Sequence, residues 1–462
     1  MAKAPGLVAT HGSASSSLAA GQIYLAGLRS NILSDMREPS FKAEIFDQVQ
    51  RLFDLNGFND HQLHCLLSFE SRSAPDAGLL RKALAATIAA IPILGARYVA
   101  EPRPFWERLE PQESAAAFET AATPDALEAF LVRRADEARS PQVRLCWLEA
   151  DPPAAAITLN HMICDGAGFK AYLYFLCETY SRLAADPAYV PPRVDGDRGL
   201  SQVVTRFSLA SRIRALLFEQ GDNNRAGARE FPMEPSGGDV PFIARRRVAR
   251  ERTSAVRAHA RRHGATLNDE ILAAFYLCLF RALDVPPVER LAIPIMVDMR
   301  RYLEPGAPFA LLTNLSSTAM TSLERRPDEP FDATLARVKA TMDTKKGGAI
   351  GVNAFFKLDL LFRHCGDARA NRILRRRLEN PLVCMTNIGV IDEARLSFAG
   401  VRPSDAFLCG SIKYKPYFQL AVTAYRDEIT LSSNLYGGTA DRRRVEAFLA
   451  EVEAELPADS QA

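Results

Sequence analysis

The chain has 462 residues, 48% of them apolar and 24% charged, with 57 Lys and Arg against 55 Asp and Glu. This length exceeds one usual domain and predicts two, and the composition is that of a globular protein. The near balance of charge excludes a general nucleic-acid binder. No apolar run reaches about 18 residues, so no membrane span is expected, and the N-terminus lacks the long apolar stretch of a secretory signal. The eight cysteines are scattered without a CxxC pair, which suits buried thiols in a reducing cytoplasm. No metal-ligand cluster stands out: His61 and His64 are the closest pair, and nothing nearby completes a site.

Residues 1–40 read as an N-terminal extension, rich in Ala, Ser and Gly from His11 to Gly21. A first half follows over 41–190. Gln62–Phe69 reads as a strand. Residues 76–91 read as a helix, because Leu79, Leu80, Leu84, Ile88 and Ile91 recur at helical spacing between an Asp76 cap and a Pro92 stop. A helix is expected over 123–138 and strands over 143–149 and 154–159, then a helix over 169–180. Residues 191–240, punctuated by Pro and Gly, form an inter-domain connection containing one helical piece at 201–218.

The second half spans 241–462. Strands are expected at 242–248, 291–297, 312–320, 382–390, 407–412, 417–425 and 429–435. Helices are expected at 253–263, 267–283, 332–345, 358–378 and 441–456. Strands and helices mix without strict alternation, so the fold class is α+β with substantial antiparallel or mixed sheet.

His161 and Asp165 form the pattern His-x-x-x-Asp-Gly directly after the buried strand 154–159, with Gly166 and Gly168 breaking into the helix. A histidine near an apolar run is more often a core or turn residue than a catalyst. At a strand end facing a cavity, however, a neutral imidazole takes the proton of an attacking hydroxyl or amine. Cys164 beside it reads as a small apolar residue rather than a nucleophile.

Further along stand Gly264-Ala-Thr-Leu-Asn268-Asp269 before an Ala-rich helix, Pro294-Ile-Met-Val-Asp298-Met-Arg300, and Thr386-Asn387-Ile388-Gly389. With His161-x-x-x-Asp165-Gly166 and the 79–98 segment, these occur in the order seen in the CoA-dependent acyltransferase superfamily. The chain resembles that superfamily over about residues 41–458; its members include chloramphenicol acetyltransferases, plant BAHD acyltransferases, polyketide-associated acyltransferases and condensation domains. Asn160 stands where condensation domains usually carry a first histidine, and the BAHD Asp-Phe-Gly-Trp-Gly signature is absent. The resemblance therefore favours a stand-alone alcohol or amine acyltransferase of secondary metabolism. A free-standing condensation enzyme joining carrier-bound substrates is the alternative, and a non-catalytic binding scaffold a third reading.

The resemblance implies two chloramphenicol-acetyltransferase-like domains in a pseudo-dimer with a central tunnel. It implies His161 as general base, Asp165 held by Arg300 (or Arg301), and Gly166 giving a tight turn with room for a thioester. It implies no tightly bound cofactor or metal, with acyl-CoA or a phosphopantetheinyl carrier thioester as co-substrate. The acceptor would be a small alcohol or amine, and an acyl or peptidyl carrier protein a potential partner. Thr386 and Asn387 are candidates for the oxyanion or acyl pocket, Asn314 for the second-domain wall, and Asn268 and Asp269 for a helix cap. Arg375, Arg376 and Arg377 with Arg372, the triplet Arg245–Arg247, and Lys345–Lys346 are candidates for a CoA phosphate or carrier surface, weighed against solvated charge.

Overall fold

The structure is a computed structural model, and it describes residues 40–100, 103–218, 229–304 and 310–458. The expected extension, apart from Ser40, and part of the connection lie outside the described residues.

The chain opens with β1 (Ser40–Lys42), α1 (Ile45–Leu55) and β2 (Gln62–Ser68). Helix α2 (Ala77–Ala90) starts where the Asp76 carboxylate accepts from the Leu79 amide at 2.7 Å, satisfying an orphan N–H of its first turn. Then come β3 (Ala96–Val99), β4 (Phe105–Arg108), β5 (Phe118–Ala121) and α3 (Pro124–Val132), capped by Thr123. This helix stops at Val132 instead of running to 138; the Arg133 carbonyl accepts from Arg144 of β6, and the Glu137 carbonyl accepts from the Tyr98 amide of β3. Strands β6 (Val143–Leu148) and β7 (Ala154–Asn160) lead into α4 (Gly166–Ala185). Every residue of β6 and β7 is buried, which is why β7 reads as an apolar run rather than as alternation, while β6 encloses Arg144.

The predicted helix 201–218 is two pieces, a turn at Ser201–Val204 and α5 (Leu209–Phe218). The second half continues with β8 (Val240–Val248), α6 (Arg250–Arg262), α7 (Leu267–Ala282), β9 (Arg290–Asp298), β10 (Ser316–Glu324) and α8 (Phe331–Lys346). Helix α7 is apolar nearly all round and is buried from Asp269 to Tyr276, as such a helix must be. The predicted helix 358–378 is also two, α9 (Val352–Cys365) and α10 (Asp367–Arg377), divided at Gly366 with φ +70°. The chain closes with β11 (Val383–Val390), β12 (Asp405–Cys409), β13 (Phe418–Tyr425), β14 (Glu428–Gly437) and α11 (Thr439–Glu455).

Two mixed sheets carry the fold, in the orders β12-β2-β7-β6-β5 and β10-β9-β11-β13-β14-β8, with β1-β4-β3 as a small third sheet. Helices α2 and α4 cover one face of the first sheet through Leu80, Leu84, Phe169, Tyr172 and Leu176. In the second lobe, α7 and α11 pack on the sheet through Phe275, Leu279, Phe448 and Leu449. The architecture is therefore the two-lobed chloramphenicol-acetyltransferase-like arrangement that the resemblance implied. One strand crosses between the lobes: β12 comes from the second half of the chain yet pairs antiparallel with β2 of the first sheet. A separate core cluster, with Leu66 and Cys146 against Ile243, Phe407 and Ala421, joins the lobes.

Candidate active site

Strand β7 ends at Asn160, and the turn that follows places His161 at the seam between the lobes. The His161 amide donates to the carbonyl of His61 at 2.7 Å, anchoring the turn to the start of β2. The residue keeps partial solvent access, but its ring is packed by protein. Nδ1 is buried and makes no hydrogen bond of normal geometry, although its own backbone and that of Cys164 lie near enough to favour the protonated ring weakly. Burial is the dominant influence and holds the imidazole below its ordinary value of 6.5, with the Lys413 charge acting in the same direction. Burial thus favours the neutral form of the His161 ring.

Asp165 is buried and caps α4. One carboxylate oxygen accepts from the Gly168 amide at 2.9 Å, the other from Arg300 Nη1 and from the Leu315 amide, each at 2.8 Å. Burial alone would raise its pKa, but Arg300 and these donors outweigh burial and lower it. Arg300 also donates to the Thr313 carbonyl at 3.0 Å. Arg301 lies over the Tyr302 ring instead. Arg300 follows the end of β9, so this buried pair spans both halves of the chain.

The segment predicted as the start of a strand, 312–315, is a loop that enters the site; β10 begins only at Ser316. Its Asn314 donates to the carbonyls of His161 and Met162 at 2.8 and 2.9 Å. Gly168 is pressed against this loop: an added Cβ would stand 2.9 Å from Cys164 Cβ and 3.4 Å from the Leu311 carbonyl oxygen. Gly166 faces strand β11, where an added Cβ would stand 3.0 Å from Ile388 Cγ2. Arg198 ties the same region to the first helix, pairing with buried Asp47 at 2.7 Å and donating to the carbonyls of Leu312 and Ile163. Trp106 Nε1 donates to the same Asp47 carboxylate at 2.8 Å.

Strand β11 forms the opposite border. Met385 points into the second-lobe core, so by the two-residue period of a strand Cys384 and Thr386 face the other way. The Thr386 side chain makes no hydrogen bond among the described residues, whereas Asn387 is committed: it accepts from the Gly389 amide and donates to Asn268. A register shift between Asn387 and Gly389 accompanies that turn. Thr266 and Asp269 form the capping box of α7, so Asp269 sits in the first turn, while Asn268 serves β11 rather than the cap.

Sequence reasoning passed over Lys413. It is buried, donates to Asn59 Oδ1 at 2.9 Å, and bridges the chain next to β2 to Leu435 of β14. Burial lowers its pKa. Nothing in its local sequence, Ser411-Ile-Lys413-Tyr, marks it out; only the meeting of the two sheets buries it. Asn160 is likewise internal: it donates to Gln142 and accepts from the Met162 amide, closing the turn rather than facing substrate. The Cys164 thiol is buried and pushed well above its ordinary value by that burial, as expected of a packing residue rather than a nucleophile.

The basic clusters fare differently. Arg245 pairs with Glu128, Arg246 with Glu453, and Arg247 with Glu428, so this triplet is committed to the protein's own acids. Lys346 lies 3.9 Å from Asp269. Arg372, Arg375, Arg376 and Arg377 on α10 are exposed and carry no ion pair among the described residues.

Residues 238–401 match the family model described as the C-terminus of phthiocerol/phthiodiolone dimycocerosyl transferase. Among solved structures, the chain is similar to polyketide synthase associated protein 5 from Mycobacterium tuberculosis, with 16% identity, TM-score 0.62 and coverage of 91% of this chain and 99% of that one. It is similar to the trichothecene 15-O-acetyltransferase TRI3 of Fusarium sporotrichioides, with 14% identity, TM-score 0.64 and coverage of 90% and 96%. It is also similar to the first condensation domain of the CDA synthetase, with 16% identity, TM-score 0.61 and coverage of 92% and 99%. A search of curated protein sequences finds no match.

Proposed function

We infer that this chain is a member of the CoA-dependent acyltransferase superfamily and moves an acyl group from a thioester to a hydroxyl or amine, with His161 as its base. The observation that carries the reading is the way both lobes hold one turn. Arg300, Leu315 and Asn314 of the second half grip the His161–Asp165 segment of the first. A base held this rigidly, and kept neutral by burial, is prepared for proton transfer.

The step balances without a covalent enzyme intermediate. As the acceptor oxygen or nitrogen bonds to the thioester carbon, its proton passes to Nε2 of His161. The carbonyl oxygen takes the negative charge, for which the Thr386 hydroxyl is our candidate donor. Collapse then breaks the carbon–sulfur bond, and the imidazolium returns the proton to the leaving thiolate. Asp165 takes no proton in this scheme; through Arg300 it sets the loop.

The donor is a CoA or carrier-protein thioester, and the exposed arginines at 375–377, which carry no ion pair among the described residues, suit a phosphate or an acidic carrier surface. Asn160, buried and satisfied within its turn, supports a single-histidine acyltransferase over a peptide condenser. The test is to incubate the protein with acyl-CoA and carrier-bound thioesters and pools of alcohols and amines, following thiol release and product mass. We expect acceptor-dependent thiol release that the His161→Ala variant lacks. Equal rates in that variant would exclude His161 as the base.

A further inference from the structure

Helices α6, α7 and α8 bring four chemistry-bearing residues together outside the site described above. His259 lies in the last turn of α6 and His263 at its C-terminal cap, Glu270 in the first turn of α7, and Asp332 in the first turn of α8. The two imidazole rings lie 4.2 Å apart, centroid to centroid. His259 Nδ1 meets the Glu270 carboxylate at 2.9 Å, and His263 Nδ1 meets the His259 carbonyl at 3.1 Å. Both rings therefore have Nδ1 held by an acceptor, which leaves both Nε2 atoms to one partner: Asp332, at 3.1 Å from His259 and 3.7 Å from His263.

We propose that His259 Nε2, His263 Nε2 and the Asp332 carboxylate are a binding site for a Zn²⁺-like divalent transition metal, with Glu270 orienting His259. The ligand atoms all lie within 4.8 Å of one another. A tetrahedral Zn²⁺ site with bonds of about 2.0–2.2 Å spaces its ligand atoms about 3.4 Å apart, so only small side-chain shifts are required. Outer acceptors on the second ring nitrogen are the usual support of a histidine ligand, and here they come from Glu270 and a backbone carbonyl. Glu270 is fully buried, His259 nearly so, and Asp332 is 60% exposed. Ions thus enter from solvent, and water completes the coordination. The sequence hides the set because Asp332 lies far along the chain from the two histidines.

The test uses the full chain without an affinity tag, stripped with EDTA and dialysed. ZnCl₂ titration by calorimetry, repeated with Co²⁺ while following the visible bands of a tetrahedral site, is expected to show one saturable equivalent with release of protons. His263→Ala and Asp332→Ala replace part-exposed side chains, and circular dichroism checks that they fold. Each is expected to weaken Zn²⁺ binding at least tenfold. Glu270→Gln, which touches no metal, is expected to weaken it about 10- to 100-fold. Absence of saturable uptake, or unchanged affinity in His263→Ala, would overturn the site.

Discussion

At the scale of single residues, His161 is the proposed base, its pKa is lowered by burial, and this has a measurable sign. Its pKa lies below 6.5, so kcat/KM is expected to stay flat through neutral pH. Activity should fall only as pH drops through that lowered value, because the protonated ring cannot accept a proton. His161→Ala should lower kcat by about 10²–10⁴-fold, the usual contribution of a general base, with the fold unchanged by circular dichroism. Lys413 adds positive charge beside the ring. Replacing it with Met removes one cause of the lowering, so the acid limb of the kcat/KM profile should move to higher pH. An unmoved limb in Lys413→Met would place the lysine's influence elsewhere. Asp165 is held differently, by a buried pair. Arg300→Met leaves its carboxylate uncompensated and should cost about 3–5 kcal/mol of stability in denaturant unfolding. These roles were legible in unequal measure. The His161–Gly166 pattern and Arg300 could be named from the sequence. Lys413 could not, and Asn314 was named only as a wall residue, since each acquires its meaning from a partner on another element.

At the scale of elements, the turn into α4 is where sequence and packing meet. Gly168 lies against backbone oxygen of the loop at 311–313 and against Cys164, and neither yields as a flexible side-chain end would. Gly168→Ala is therefore expected to destabilise by about 1–3 kcal/mol through overpacking, read as a lower denaturant midpoint. It should also displace the Asn314 loop from the His161 carbonyl, lowering kcat. Elements with strong periodicity and a clear cap, such as α2 behind Asp76 and α7 behind Thr266, were readable to within a residue or two. The predicted helices 201–218 and 358–378 each proved to be two pieces. In the second case apolar spacing continues across Gly366, but the backbone there enters the left-handed region and starts a new axis. The strand expected from 312 begins four residues later, because its first residues are drawn out to bond Arg198, Arg300 and the His161 turn.

At the scale of the whole molecule, charge buried near the lobe seam makes stability depend on pH. His61, whose carbonyl anchors the His161 amide, lies between Asp54 and Glu137, which overcome its burial and raise it to about 9. Glu137 is lowered in turn to about 2. The raised histidine contributes fully below its ordinary 6.5, and that contribution is lost as pH rises through 9. The lowered carboxylate contributes fully above its ordinary 4.5 and loses its contribution as pH falls through 2. Asp60, raised from 3.8 to about 6 by burial, adds a penalty that builds as pH rises between those values and is complete above 6. Thermal midpoints should therefore be highest near pH 4.5 and decline toward pH 9. His61→Gln should lose more stability at pH 6 than at pH 9.5; an equal loss at both would refute the linkage.

The sequence by itself determined the class of fold, the order of most strands and helices, the His161–Asp165–Gly166 turn and its resemblance to acyltransferases. These follow from apolar periodicity, caps and short motifs, all written within a few residues of one another. Tertiary structure alone chose Arg300 over Arg301 as the partner of Asp165 and decided which basic cluster carries no ion pair among the described residues. It also decided that β12 crosses into the other lobe's sheet, and that His259, His263 and Asp332 converge. Each depends on residues far apart in the chain, and only the packing of both lobes sets their distances and burial.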